Sequence, residues 1–482
     1  MIYNIRHTSF FSTVSGHFRK FVCIFFAAVT LISVSGCSGD RMRSIIECVP
    51  ENAVVVRTVD LAYLFREAGV PSPVRSDTLS EDAAGILSLF VPADFHVILT
   101  RLLAAPGAVD LSGMLMFTDA AGRDIAILPV SDPRILDSVI EGERGVEAIG
   151  ETDGLKFRII DNMTLATDGM GLCFIAGDIM TVASALADAR ISHFGVFGGV
   201  HDFLTEKSAC NIAVNCGNSP LSFMGGGSRW LCMSLNATRQ SVTLTGKLMN
   251  REGALDSIGG NFKEIDTDFL RYTPSDASVI LAFGQFSGNA RALGMLLGRF
   301  APIYLEQADG TTSLYALPAS GNPEAVAAHE AGSWNVETMV HVPENLLEVG
   351  LAQYAARAGG SLNRINNNQW EYSSDGNDYY FGTFDGSLVF SSNREIASDF
   401  NNGFTEDFQG KRVAMVVDVP YRSVLARAWG LPYGVTFKIG LNAMDFKMRV
   451  TFNGAEATAL RSLLKLPQLP DLQARFSNTL GL

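Results

Sequence analysis

Residues 49–69 read VPENAVVVRTVDLAYLFREAG, and residues 273–294 read TPSDASVILAFGQFSGNARALG. Each has a proline, two polar residues, an alanine, an apolar run suited to a strand, and then a helical pattern. A strand running straight into a helix, met twice at this distance, raises an internal duplication, which is sought before any motif.

Three further pairs follow in the same order. AILPVSDPRILDSV (126–139) matches YALPASGNPEAVAAH (315–329): a strand ends at Leu-Pro, and a second proline opens a helix, where its missing N–H costs nothing. MTLATDGMGLCFIAGDIMTVASAL (163–186) matches YYFGTFDGSLVFSSNREIASDF (379–400), each with Asp-Gly between two alternating runs, a hairpin signal. Asp178 and Asn393 then stand where helix N-caps belong. SLNATRQSVTLTGKL (234–248) matches GLNAMDFKMRVTFNG (440–454) as a long strand. Unequal spacing between partners reflects loop length, which surfaces tolerate.

Periodicity gives the architecture. AVVVRTV, GMLMFTD, SVTLTGKL and FKMRVTF alternate over part of their length, as in antiparallel sheet with one wet face. The stretch PENLLEVGLAQYAARA (343–358) carries an apolar helical stripe that would cover the other face. Continuous apolar runs, VAMVV (413–417) and VILAF (279–283), read as central strands buried on both sides. The expected fold is α+β: two similar tandem halves, each a mainly antiparallel sheet with helices packed on one face. A chain of 482 residues also exceeds what one core holds, as cores stop growing near ~250–300 residues.

The beginning of the chain is read separately. Residues 1–20 hold Arg6, Arg19 and Lys20 and no acid, residues 21–35 (FVCIFFAAVTLISVS) are apolar or small, and Gly36-Cys37 follows. This is the layout of a secretory signal, and the apolar run falls short of the ~20 residues of a comfortable span. Val34-Ser35-Gly36-Cys37 looks like a bacterial lipobox, with Val34 where Leu is usual. The motif implies cleavage between Gly36 and Cys37, a thioether-linked diacylglycerol on Cys37 and an acyl chain on the new amine. Several chains are needed because one anchors only marginally. The expected organisation is a lipoprotein signal peptide at 1–36, a lipidated tether at 37–48, a first α+β half at 49–258, a second at 273–466 and a C-terminal tail at 467–482.

Charge bears on partners. The net charge is −13, and removing a leader with three basic residues and no acid takes it to −16. Such a body disfavours nucleic acid and adhesion to anionic lipid. Of seven cysteines, Cys23 leaves with the leader and Cys37 takes lipid. An odd five remain, so a full disulfide framework is excluded. An oxidising compartment permits one bridge among Cys210, Cys216 and Cys232, with buried free thiols as the alternative.

The succession of lipobox cysteine, proline–alanine strand (VPENAVVVRTVDLAYLFREAG) and Asp-Gly hairpins resembles a family of envelope lipoproteins of unknown function widespread in the Bacteroides group of bacteria. The family has no established activity, so the resemblance transfers no catalytic residue. It implies an envelope lipoprotein. In that group an acidic run after the lipidated cysteine resembles a surface-export signal. Ser38–Arg43 has one acid and two arginines, which favours the periplasmic face of the outer membrane.

A search for chemistry finds little. Five histidines (His96, His193, His201, His329, His341) lack metal-ligand spacing. Neither a GxSxG elbow nor a GxxxxGK[ST] loop occurs. Gly225-Gly226-Gly227 near Arg229 reads as a loop between strands rather than an anion cradle. Asp60, Asp168 and Asp385 stand at strand ends or turns, where turn and cap service accounts for them. Trp370, Tyr372, Tyr379 and Tyr380 are a candidate glycan patch, although neighbouring strand residues face opposite ways. HFGVFGGV (193–200) and SPLSFMGG (219–226) read as buried loops or as an apolar rim for a partner or lipid. The expectation is a lipid-anchored, non-catalytic binding or scaffolding protein without cofactor or metal, its partners being the membrane and a protein or glycan. An envelope hydrolase acting on glycan or peptide without a local motif is the alternative.

Overall fold

The computed structural model describes residues 39–70, 74–75, 78–141, 146–152, 154–160, 162–168, 171–218, 229–255, 263–265, 267, 277–284, 312–318, 337–341, 360–374, 377–384, 387–391, 405–422, 426–427 and 430–466. The expected signal segment 1–36, Cys37, the glycine run, the expected helix at 343–358, Asp385, Asn393 and the expected tail 467–482 lie outside these. The chain is α+β, and its strands pair antiparallel throughout. It divides into two compact units: the described residues up to Leu255 together with those from Ala455, and those between.

The first unit contributes ten strands longer than two residues: β1 (Val55–Val59), β2 (Met114–Thr118), β3 (Asp124–Pro129), β4 (Glu147–Thr152), β5 (Leu155–Ile160), β6 (Met163–Asp168), β7 (Leu172–Ala176), β8 (Cys210–Asn215), β9 (Trp230–Ala237) and β10 (Ser241–Met249). Their order across the sheet is β4-β5-β6-β7-β3-β2-β1-β8-β9-β10. The second unit contributes β11 (Ala277–Gly284), β12 (Thr312–Pro318), β13 (Glu337–His341), β14 (Ser361–Asn366), β15 (Gln369–Ser374), β16 (Asn377–Phe384), β17 (Ser387–Ser391), β18 (Val413–Val419), β19 (Gly434–Leu441) and β20 (Asp445–Asn453). Their order is β14-β15-β16-β17-β13-β12-β11-β18-β19-β20.

All these strands belong to one large antiparallel sheet rather than to the separate sheet per half that the sequence suggests, and each strand of the second unit has the rank of the strand ten numbers below it. The first, third and fourth sequence matches fall on strands of equal rank. The second does not: AILPVSDP is β3, whereas YALPASGNP begins on β12, the counterpart of β2. Both strands end in Leu-Pro, a local signal that carries nothing about position in a sheet. Each unit also has a register irregularity in the hairpin that includes its outermost described strand, between Ala148 and Gly150 on β4 and between Arg364 and Asn366 on β14. Gly150 takes φ 143°, a setting that disfavours side chains.

The helices of the first unit are α1 (Gly39–Ile46), α2 (Leu61–Glu67), α3 (Glu81–Phe90), α4 (His96–Ala104), α5 (Pro133–Glu141), α6 (Ile179–Ile191), α7 (Gly198–Thr205) and α9 (Ala459–Leu464), with α8 (Thr405–Phe408) in the second. They cover both faces of the first unit's strands, against the expectation of one. Val56, Phe117, Ile127 and Phe174 form a core with residues of α1, α6 and α7, while on the other face Leu165 meets Ile98 and Leu102 of α4 and Ile140 of α5. The physical reason lies in Arg57 and Thr58. Their polarity suggested a wet face, yet all five residues of β1 are buried, because both polar side chains have internal partners. Alternation survives on β10 and β20, where buried residues alternate with more exposed ones over most of the length. In the VAMVV run Ala414 to Val417 are buried, as the sequence suggests; the side chains of VILAF lie outside the description.

Two further boundaries differ from expectation. Residues 39–46 of the supposed tether are helix α1, with Met42, Ile45 and Ile46 in the core. The end of the supposed second half, α9, belongs to the first unit: Arg461 pairs with Asp82, Thr458 Oγ1 donates to Ala68 O at 3.2 Å and Ala459 N to Arg239 O at 2.8 Å. Leu464 fits against Gly85, where an added Cβ would stand 3.1 Å from its Cδ1.

Candidate functional site

The residue most charged with function by the sequence, Cys37, lies outside the described residues. The described structure begins at Gly39, the first residue of α1. Met42, Ile45, Ile46 and Val49 recur at i, i+3, i+4 and i+7, one face of a helix, and all four are buried. Phe194 N donates to Val49 O at 2.8 Å and Glu51 N to Ser192 O at 2.9 Å, tying the exit of α1 to the loop before α7. On the outside Arg43 reaches Asp202 of α7 at 4.0 Å.

That loop is the HFGVFGGV stretch, whose Phe194, Phe197 and Val200 are core while Val196 stays exposed. Phe194 and Phe197 pack on the fully buried Trp230, with ring centroids 4.9 and 5.3 Å away. Edge-on and tilted geometries of this kind add to the burial energy. Trp230 Nε1 finds no hydrogen-bond partner among the described residues.

The acids and histidines raised by the sequence are engaged locally. Asp60 Oδ1 accepts from Tyr63 N at 2.6 Å, capping α2, and Asp168 accepts from Leu172 N at 2.7 Å. Asp178 caps α6 as expected, accepting from Thr181 N at 2.9 Å and Thr181 Oγ1 at 2.7 Å. The hydroxyl and amide of Thr181 hold its carboxyl below the usual range. His96 Nε2 lies 3.0 Å from Val91 O, His193 Nδ1 accepts from Gly195 N at 3.2 Å, and His201 Nδ1 is 3.4 Å from Asp202 Oδ1. His329 and the side chain of His341 lie outside the description. Among the described residues no three His, Cys, Asp or Glu gather closely enough to hold a metal ion. Two members of the aromatic patch are interior: Trp370 and Tyr372 are buried, the latter with its ring against Gly360. Register places Tyr372 opposite Tyr379, and Tyr380 opposite Glu371 on the other face.

Sequence reasoning missed a buried polar cluster. Thr58, Asn211 and Ser234 occupy one row across β1, β8 and β9. Asn211 Nδ2 donates to Glu206 O at 2.7 Å and Leu204 O at 3.3 Å, and Thr58 Oγ1 donates to Leu204 O at 3.4 Å. The hydroxyls of Ser208 (2.7 Å) and Ser234 donate to Asn211 Oδ1. The cluster thus satisfies the last carbonyls of α7, which no helical turn follows to pair. Beside it, Arg57 Nη2 meets Asp124 Oδ1 at 3.4 Å and Thr118 Oγ1 donates to the same oxygen at 2.6 Å. Such a network fixes register and gives no reactive group. The signal was three polar residues in apolar runs, and only strand register brings them together.

Cys48, Cys173, Cys210, Cys216 and Cys232 are free thiols, so none of the described cysteines bridge. Burial pushes all of them up, Cys48 to about 11 and Cys173 to about 12, which leaves them protonated and unreactive at neutral pH. A crevice of about 10 Å³ beside Ile98, Leu102 and Ile140 is the size of one water molecule. No helix among the described residues is long and apolar enough to cross a membrane.

Comparison with known proteins adds little. No protein-family model matches the chain, and no curated protein does. Among solved structures, crystal form IV of TP0453 aligns with a TM-score of 0.28 at 9% identity, over 42% of this chain and 79% of that one. Form III gives 0.27 at 9%, with the same coverage. At these scores the likeness carries no argument about function.

Proposed function

We propose that the chain is a lipoprotein of the bacterial envelope, anchored through Cys37 on the periplasmic side of the outer membrane, with a non-catalytic body that binds or scaffolds a protein or glycan partner. The observation that carries this is the run Val34-Ser35-Gly36-Cys37 behind a short apolar stretch, followed after Ser38 by a helix seated in the core. The body is the product of duplication, a reading supported by the shared strand order of its two units. The resemblance to Bacteroides-group envelope lipoproteins points the same way. Cap and turn service accounts for Asp60, Asp168 and Asp178 without catalysis.

Metabolic labelling with a fatty-acid analogue tests the anchor. The wild type is expected to incorporate label and to stay with membranes until detergent is added, and Cys37→Ala to do neither. Equal labelling of the two proteins removes the reading.

A further inference from the structure

We infer that helix α1 fixes the orientation of the first unit on the membrane, holding the surface around the end of α7 against the lipid headgroups. This rests on lipidation of Cys37. If that residue carries the anchor, only Ser38 separates it from Gly39, the first residue of α1. Two residue steps span at most roughly 7 Å. A tether of the expected length, 37–48, would let the body rotate freely. The docked helix removes that freedom, because Met42, Ile45 and Ile46 are locked in the core.

The direction of α1 selects the surface. Its exit at Val49 lies beside Phe194, and Arg43 lies beside Asp202. The helix therefore runs opposite to α7 and aims its first turn at the end of α7, where Glu206 and Lys207 follow. Lys247 Nζ joins this surface 3.7 Å from Glu206 Oε1 and 5.1 Å from the centroid of the Phe203 ring. Arg43, Lys207 and Lys247 thus stand among Asp202 and Glu206. Mixed charge of this kind suits the hydrated headgroup layer rather than the acyl interior, and its small positive excess offsets the repulsion between an acidic protein and anionic lipid.

Lysine acylation tests the orientation. The lipidated full chain, in vesicles of phosphatidylcholine and phosphatidylglycerol, is treated with a water-soluble acetylating reagent and read by mass spectrometry. The comparison is a protein with a Gly/Ser insertion of about twelve residues between Ser38 and Gly39, which keeps the lipobox and adds roughly 20 Å of flexible span. The expected result is that Lys207 reacts several-fold more slowly in the native chain than in the insertion variant, while exposed Lys156 on β5 reacts equally in both. Equal rates at Lys207, or slowing at Lys156 instead, overturn the orientation while leaving the anchor intact. Absence of fatty-acid label on the native chain removes the anchor and the orientation together.

Discussion

The two units share a strand order and differ at the centres of their strand sets. In the first, the row Thr58–Asn211–Ser234 is polar and fully hydrogen-bonded. In the second, the corresponding three strands carry the rows Ile280–Val416–Lys438 and Ala282–Ala414–Gly440. Neither repeats the triplet. The difference follows from what each centre must satisfy. In the first unit α7 ends over the sheet with unpaired carbonyls, and polar residues meet them. A shared strand order therefore specifies which strands meet and leaves open what the rows between them contain.

The comparison can be broken most severely at the aromatic cover of the first unit. Trp230→Ala removes the side chain on which Phe194 and Phe197 rest, and is expected to cost about 3–5 kcal/mol in urea unfolding. Trp230→Phe should cost much less, since it also removes the unpartnered indole N–H. Next is Asn211→Ala, which strands the Glu206 carbonyl and leaves Leu204 O only its bond from Thr58 Oγ1, at an expected cost of about 2–3 kcal/mol. A double-mutant cycle with Ser234→Ala should show coupling, and strict additivity would mean the triplet does not act as one network.

The converse substitution sharpens the contrast. Ala414→Asn puts a polar side chain at a fully buried position of β18, and about 2 kcal/mol of destabilisation is expected. A thermally silent Ala414→Asn would show that the second centre tolerates polarity as well as the first. Smaller still is Asp178→Ala, expected to cost about 1 kcal/mol as a lost N-cap. Because the folded state lowers the pKa of Asp178, its contribution is present above the ordinary carboxylate range and lost as pH falls through the folded value. Melting temperatures of wild type and variant should therefore converge in acid.

The buried thiols act at the other end of the pH scale. Their folded pKa values are raised, so their contribution is complete below the unfolded value of 9.0 and fades as pH climbs toward about 11 for Cys48 and about 12 for Cys173. Thermal melts between these limits should show falling stability, and Cys173→Ala should flatten the decline.

Local chemistry was the legible part of this sequence. The cap at Asp178 and the alternating strands β10 and β20 each follow from a few neighbouring residues. The helical period of Met42, Ile45, Ile46 and Val49 was equally local, yet the lipobox-like run just upstream invites reading the segment as a tether. Arg57 misled for a different reason: its partner Asp124 is far along the chain, and polarity alone does not distinguish a wet residue from a paired one. The triplet row was illegible in principle, since Thr58, Asn211 and Ser234 meet only through the register of three strands.

The irregularities near β4 and β14 matter most if many copies share one bilayer. Molecules confined to two dimensions collide edge-on far more often than they would in bulk, and a flat, regular outer strand would offer each neighbour a template for knitting into a continuous ribbon. A kinked margin on each unit spoils that template.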